Sequence, residues 1–87
     1  MKETIKKNVI AYIASFANLP VQNVEDENVL KSNPLNLDDV KLGFLAIALR
    51  AYLKSLNPNQ TILVSQLRKN GFTVKKTYEL VIEKYDL

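Results

Sequence analysis

The sequence predicts an all-α fold, a small four-helix bundle with a long loop between helices 1 and 2, on three observations. Apolar residues recur at i, i+4, i+7, i+8 and i+11 in two segments, a third segment is apolar nearly all round, and capping or breaking residues stand at the segment boundaries. The chain has 87 residues, 47% apolar and 24% charged, which suits one ordinary soluble globular core and leaves no room for a second. Residues 1–87 are therefore expected to form a single helical domain.

The first helix is expected from Lys2 to Asn18, with Ile5, Val9, Tyr12, Ile13 and Phe16 on one face and Lys6, Lys7, Asn8 and Ser15 opposite. Leu19-Pro20 ends it, because proline disfavours helical geometry in the preceding residue and has no backbone N–H to donate. Residues 20–35 read as loop. Val21, Val24, Val29, Leu30 and Leu35 are spaced to anchor that loop across the helices, with a short helical turn inside it. The second helix is expected to start at Asn36 as N-cap and run to Lys54 or Ser55, with Asp38 and Asp39 offsetting the dipole in its first turn. Between Val40 and Leu53 eleven of fourteen residues are apolar, which makes this the central helix. Gly43 inside it costs about 1 kcal/mol relative to Ala and is read as a point where another backbone comes close. Asn57-Pro58-Asn59-Gln60 reads as the start of a third helix, with Asn57 as N-cap, Ile62, Leu63, Val64 and Leu67 along it, and Asn70-Gly71 closing it. Thr73 then caps a fourth helix carrying Val74, Tyr78, Val81, Ile82 and Tyr85, a series that fits a helix better than the alternation of a strand.

This order of parts resembles the acyl carrier protein family. In that family the second helix opens with an Asp-Ser-Leu triplet, followed by an acid, a variable residue, Val, a variable residue and Leu. Here Leu35-Asn36-Leu37-Asp38-Asp39-Val40-Lys41-Leu42 keeps that frame, and Phe72-Thr73-Val74 leading into Tyr78 and Ile82 is similar to the start of the family's fourth helix. The family's serine carries a phosphopantetheine arm through a phosphodiester, which needs a hydroxyl, and the matching position is Asn36. An amide cannot accept the arm. Leu35 stands where the family has Asp, and Lys41, Arg50 and Lys54 replace an acidic second-helix surface; Ser32 is near but outside the frame. The resemblance thus implies a carrier-type scaffold that is not phosphopantetheinylated, holds no cofactor and is left with binding as its business.

Composition narrows the chemistry independently. Without Cys or His there is no disulfide, thiolate nucleophile, thiolate–metal site or imidazole base. Paired carboxylates remain in Asp38-Asp39 and Glu25-Asp26-Glu27, but both sets are explained by dipole compensation and loop solvation, so neither a catalytic residue nor a metal site is assigned. No enzyme is expected. The amphipathic segment after Lys2, Lys6 and Lys7 lacks the apolar core of a signal peptide. The longest apolar run, residues 42–49, is far below the roughly 20 residues that span a bilayer. A cytoplasmic protein with no membrane partner is expected.

Two binding surfaces are candidates. The over-apolar second helix offers Leu45, Leu49, Tyr52, Leu53 and Leu56 as a stripe for another, larger protein chain, with a homodimer left open. Residues 41–76 carry Lys41, Arg50, Lys54, Arg68, Lys69, Lys75 and Lys76 and no acid, in a chain of net charge +3. These seven form a candidate basic face for nucleic acid, with Tyr52 and Tyr78 as stacking residues, as in a small accessory protein of a replication or mobile-element system. Gln66 to Phe72 followed by Lys75-Lys76 also resembles part of a winged-helix domain, which requires residues 77–85 to be strand.

Overall fold

Helix α1 (Lys2–Ala17) buries Ile5, Val9 and Ile13, the i, i+4, i+8 positions of its apolar face, together with Ala14. In the computed structural model, which describes residues 1–87, the helix closes before Pro20 exerts any effect. Asn18 takes the left-handed conformation (φ 59°). The N–H groups of Asn18 and Leu19 donate to the carbonyls of Ser15 and Ala14 at 3.2 and 3.0 Å, the two-bond closure that Gly and Asn favour.

Residues 18–38 contain only a 3-10 turn, Val21–Asn23. The segment is tied down by its backbone. Leu30 N–H donates to the Phe72 carbonyl (3.0 Å), while Val74 and Lys75 donate to Asn28 and Asp26 (2.9 and 3.0 Å). Val24, Leu30, Leu35 and Leu37 enter the core, whereas Val21 is exposed and Val29 half-buried. The anchors are thus partly those the aliphatic spacing suggests, with Leu37 in place of Val21.

Leu37 also explains why helix α2 (Asp39–Leu56) starts later than Asn36. With Leu37 buried and its N–H donated to Leu30 (2.9 Å), the chain stays extended through Asp38, and Asn36 itself has φ 50°. Asp38 is the N-cap, its Oδ1 accepting the Lys41 N–H at 2.8 Å. Leu42, Leu45, Ala46, Leu49 and Leu53 of α2 are buried. Helix α3 is a single turn, Val64–Leu67, and the predicted start at Asn57 is not observed. The Asn57 N–H instead closes α2 on the Leu53 carbonyl at 2.8 Å. The N-cap of α3 is Leu63, whose N–H donates to Gln66 Oε1 at 2.9 Å; a leucine side chain has no acceptor to reciprocate. Gly71 (φ 72°) turns the chain into α4 (Val74–Tyr85), where Thr73 Oγ1 accepts the Lys76 N–H at 3.1 Å.

The four helices, the 18–38 segment and Ile62 in the connection between α2 and α3 share one core of 18 buried apolar residues, with α1 against α2 and α4 and α3 against α2. The radius of gyration, 11.7 Å, equals the about 12 Å expected of 87 residues packed as one body. The chain contains no strand, only an isolated bridge between Val29 and Thr73. Val74–Tyr85 is helix, so the winged-helix resemblance has no wing to rest on.

At Gly43 no backbone comes close, contrary to expectation. The atom nearest to a Cβ added there is Arg68 Nη2 at 3.9 Å, an ordinary contact. Gly43→Ala should therefore stabilise the fold by about 0.5–1 kcal/mol through helix propensity, raising the midpoint of thermal unfolding by several degrees. A lowered midpoint would show that α2 needs a closer neighbour there.

Candidate binding faces

Of the five residues expected to line a partner surface, Leu45, Leu49 and Leu53 have no exposed area. They are core, and that stripe is corrected accordingly. Tyr52 and Leu56 are half-buried beside it. The Tyr52 hydroxyl accepts a hydrogen bond from Asn8 Nδ2 at 3.0 Å, and its ring sits 5.9 Å from that of Tyr12 at 56°, an edge-tilted pair between α1 and α2.

The apolar surface of α2 lies on its other side. Val40, Phe44 and Ile47 are 66, 56 and 58% exposed, and Ala51 continues the row. At about 100° per residue these four fall within a strip some 60° wide, centred opposite the Leu45–Leu49–Leu53 side. The solvent face of an amphipathic helix is ordinarily polar; here both faces are apolar. Leu63 adds a fourth large exposed side chain, at 58%. Its segment is held against α2 by Arg50, whose Nε donates to the Ile62 carbonyl at 3.1 Å.

The structure does not gather the seven cations on one face. Lys41 and Arg50 are nine residues apart on α2, about two and a half turns, and so point to opposite sides. Arg50 is committed to Ile62. Arg68 is committed too: Nη2 donates to the Asp39 carbonyl at 2.9 Å and Nε lies 3.6 Å from Asp39 Oδ1. Lys69 and Lys76 border an open groove with Glu79 and Glu83, and Lys75 borders another with Asp26 and Glu27. A segment without acids in sequence is thus interleaved in space with acids from elsewhere. Neither tyrosine offers a free ring, since Tyr52 packs on Tyr12 and Tyr78 is only 7% exposed.

Tyr78 is the most perturbed group. Its hydroxyl donates to Asp26 Oδ2 at 2.8 Å, joining α4 to the 18–38 segment, and Lys6 Nζ sits 5.4 Å from its ring centroid. Burial first, then the hydrogen bond and charge of Asp26, push its ionisation from 10.0 up to about 12. A folded-state value raised above the unfolded one stabilises fully below pH 10 and is lost as pH rises through 12. Between those limits the wild-type chain should lose stability more steeply than Tyr78→Phe, followed by chemical denaturation at successive pH values. Parallel curves would show that Tyr78 ionises as freely in the folded chain as in the unfolded one.

The other acids of interest have local work. Asp38 caps α2, Asp39 pairs with Arg68, and no three acidic side chains converge in a geometry that holds a metal ion. Asn36 is exposed two residues before the N-cap of α2, its Nδ2 donating to Asn33 Oδ1 at 3.2 Å, and Ser32 is exposed in the preceding turn. No helix is long and apolar enough to cross a membrane.

Protein-family models, curated proteins and solved structures were each compared with this chain, and none matches it.

The exposed row on α2 is the surface that sequence reasoning missed. Both strips of α2 are apolar, one of four leucines at 42, 45, 49 and 53 and the other of Val, Phe, Ile and Ala, so no local signal says which faces inward.

Proposed function

We propose that this chain is a non-catalytic protein-interaction module of the cytoplasm, built on an acyl-carrier-like scaffold that is not phosphopantetheinylated, and that it binds another protein through the outer face of α2. The observation that carries the reading is the row Val40, Phe44, Ile47 and Ala51, exposed on the side of α2 opposite the core. A contiguous apolar strip in water is unfavourable in proportion to its area, and covering it is what a partner supplies. Support for the missing modification is Asn36 itself, which has no hydroxyl to form the phosphodiester. Coexpression with a broad-specificity phosphopantetheinyl transferase should leave the intact mass unchanged; gain of one arm would show that Ser32 or another serine serves instead.

The binding reading is tested with immobilised wild-type and Phe44→Glu chains presented to an extract of the source cells. A polypeptide held in stoichiometric amount by the wild type, lost with Phe44→Glu and rebound when purified, is the expected result. Equal retention by both chains would move the site away from α2.

A second reading, a small basic nucleic-acid-binding accessory protein, is favoured by five exposed lysines, Lys41, Lys54, Lys69, Lys75 and Lys76, that form no ion pair. It requires oligonucleotide affinity that falls steeply with salt as condensed counterions are released. Replacing Lys75 and Lys76 by Glu should then weaken binding across all sequences.

A further inference from the structure

We propose that Asn70 is a site of spontaneous covalent modification in the folded chain: the backbone nitrogen of Gly71 attacks its side-chain amide, ammonia leaves, and a carboxylate takes the amide's place. This goes beyond the binding reading and does not depend on the α2 face.

The chain has nine asparagines, and the fold restrains eight of them. Asn33 and Asn57 precede proline, whose nitrogen has no hydrogen to lose. Asn18, Asn23, Asn36 and Asn59 are each followed by a residue whose N–H is donated to a backbone carbonyl, at 2.9 to 3.1 Å. Asn8 lies inside α1, where the ladder of the helix holds the next nitrogen. Asn28 is half-buried; its Oδ1 accepts the Glu25 N–H at 2.8 Å, its carbonyl accepts the Val74 N–H at 2.9 Å, and the branched Val29 follows it.

Asn70 has none of these restraints. It is exposed, as is Gly71, and the peptide unit between them makes no hydrogen bond through either its C=O or its N–H. The Asn70 amide is likewise free of any protein partner. A Cβ built on Gly71 would meet no atom within 4 Å, so no side chain stands over the turn. Gly71 has φ 72° in the turn that the Phe72 N–H closes on the Lys69 carbonyl at 3.2 Å. For Gly71 N to reach Asn70 Cγ this peptide unit must rotate. Glycine tolerates φ of either sign, and no hydrogen bond opposes the rotation.

Solvent base removes the Gly71 N–H proton as the nitrogen bonds to Asn70 Cγ. The Cγ–Nδ2 bond then breaks, Nδ2 leaves with a proton as ammonia, and a five-membered succinimide remains. Water opens the ring at one of its two carbonyls. Breaking the N–Cγ bond gives an aspartyl residue; breaking the bond from nitrogen to the main-chain carbonyl carbon gives an isoaspartyl residue, whose main chain runs through Cγ. No electrons are exchanged with another reactant.

Both products lower the net charge of +3 by one, beside Lys69. The isoaspartyl form also adds a methylene to the main chain of the turn. The Phe72 carbonyl two residues on accepts the N–H of buried Leu30 at 3.0 Å, so the longer turn loosens the tie between the 18–38 segment and the start of α4.

The full chain is incubated folded at mildly alkaline pH and followed by cation exchange, intact mass and peptide mapping. The expected result is an acidic species, heavier by the exchange of NH₂ for OH, that maps to Asn70 as a mixture of aspartyl and isoaspartyl forms and grows faster as pH rises. Asn70→Gln should suppress it by roughly tenfold or more, because the longer side chain must close a larger ring at greater cost in conformational freedom. In the purified isoaspartyl chain the Leu30 amide hydrogen should exchange severalfold faster than in wild type, as loss of its acceptor implies; equal exchange would overturn the loosening. An Asn70 that stays intact in the folded chain while the urea-unfolded chain converts would overturn the site, since the fold would then protect it. Conversion at other asparagines at the same rate, or aspartyl product alone, would overturn it as well.

Discussion

Leu49→Ala is expected to lower the stability of this chain by about 2–5 kcal/mol, the cost of removing buried methyl groups and leaving a cavity that neighbouring side chains only partly fill. Leu49 has no exposed area and lies midway along α2, among Leu42, Leu45, Ala46 and Leu53. A domain of this length has roughly 4–13 kcal/mol of total stability at about 0.05–0.15 kcal/mol per residue, so this one change removes a large share of it. Urea unfolding should show a lower midpoint with an unchanged slope, the mark of lost packing rather than an altered unfolded state. Phe44→Ala, five residues away in the same helix, should stay within about 0.5 kcal/mol of wild type because its ring already faces water. The contrast carries the test. Equal costs at the two positions would mean that the inner and outer faces of α2 have been exchanged.

Asn57→Asp is expected to cost about 2–4 kcal/mol at neutral pH, combining unsatisfied carbonyls with a charge at the wrong end of a helix. The Asn57 amide Nδ2 faces the carbonyls of Lys84, Tyr85 and Leu87 at 3.2, 3.3 and 3.2 Å, so the residue that closes α2 with its backbone closes α4 with its side chain. A carboxylate donates nothing, and it would add negative charge where α4 already presents the negative end of its dipole. The sign with pH follows. Protonating the new carboxyl restores an O–H donor and removes the charge, so the gap to wild type should narrow in acid. Asn57→Ala should cost less than Asn57→Asp at neutral pH, having no charge to repel. Thermal unfolding of the three chains at neutral and acid pH settles this; an Asp variant no worse than the Ala variant would show that the amide is not capping α4.

The two positions differ in how far local sequence could reveal them. That Leu49 belongs to an apolar helix is evident from neighbouring residues, but which of two apolar strips faces inward depends on where α1 and α4 pack. Asn57-Pro58 has the form of a helix start, and Asn57 does sit at a helix boundary. Its side chain nevertheless serves carbonyls about thirty residues further along, a partner no local pattern contains. Asn36 fails as an N-cap for a related reason. Leu37, next to it, is drawn into the core, and the chain must remain extended until Asp38.

Helix α1 and helix α4 were decided by the sequence alone, because both are set by short-range terms: apolar spacing that matches the helical period, and Thr73 as an acceptor for the Lys76 N–H. The all-α class follows from the same terms. Everything that concerns surfaces was decided by tertiary structure. Packing turned Leu45, Leu49 and Leu53 inward and left Val40, Phe44 and Ile47 outside. It also set Asp26, Glu27, Glu79 and Glu83 beside lysines from a segment that has no acid of its own. Burial and electrostatics act through distance in space, and for residues far apart in the chain only the folded arrangement supplies that distance.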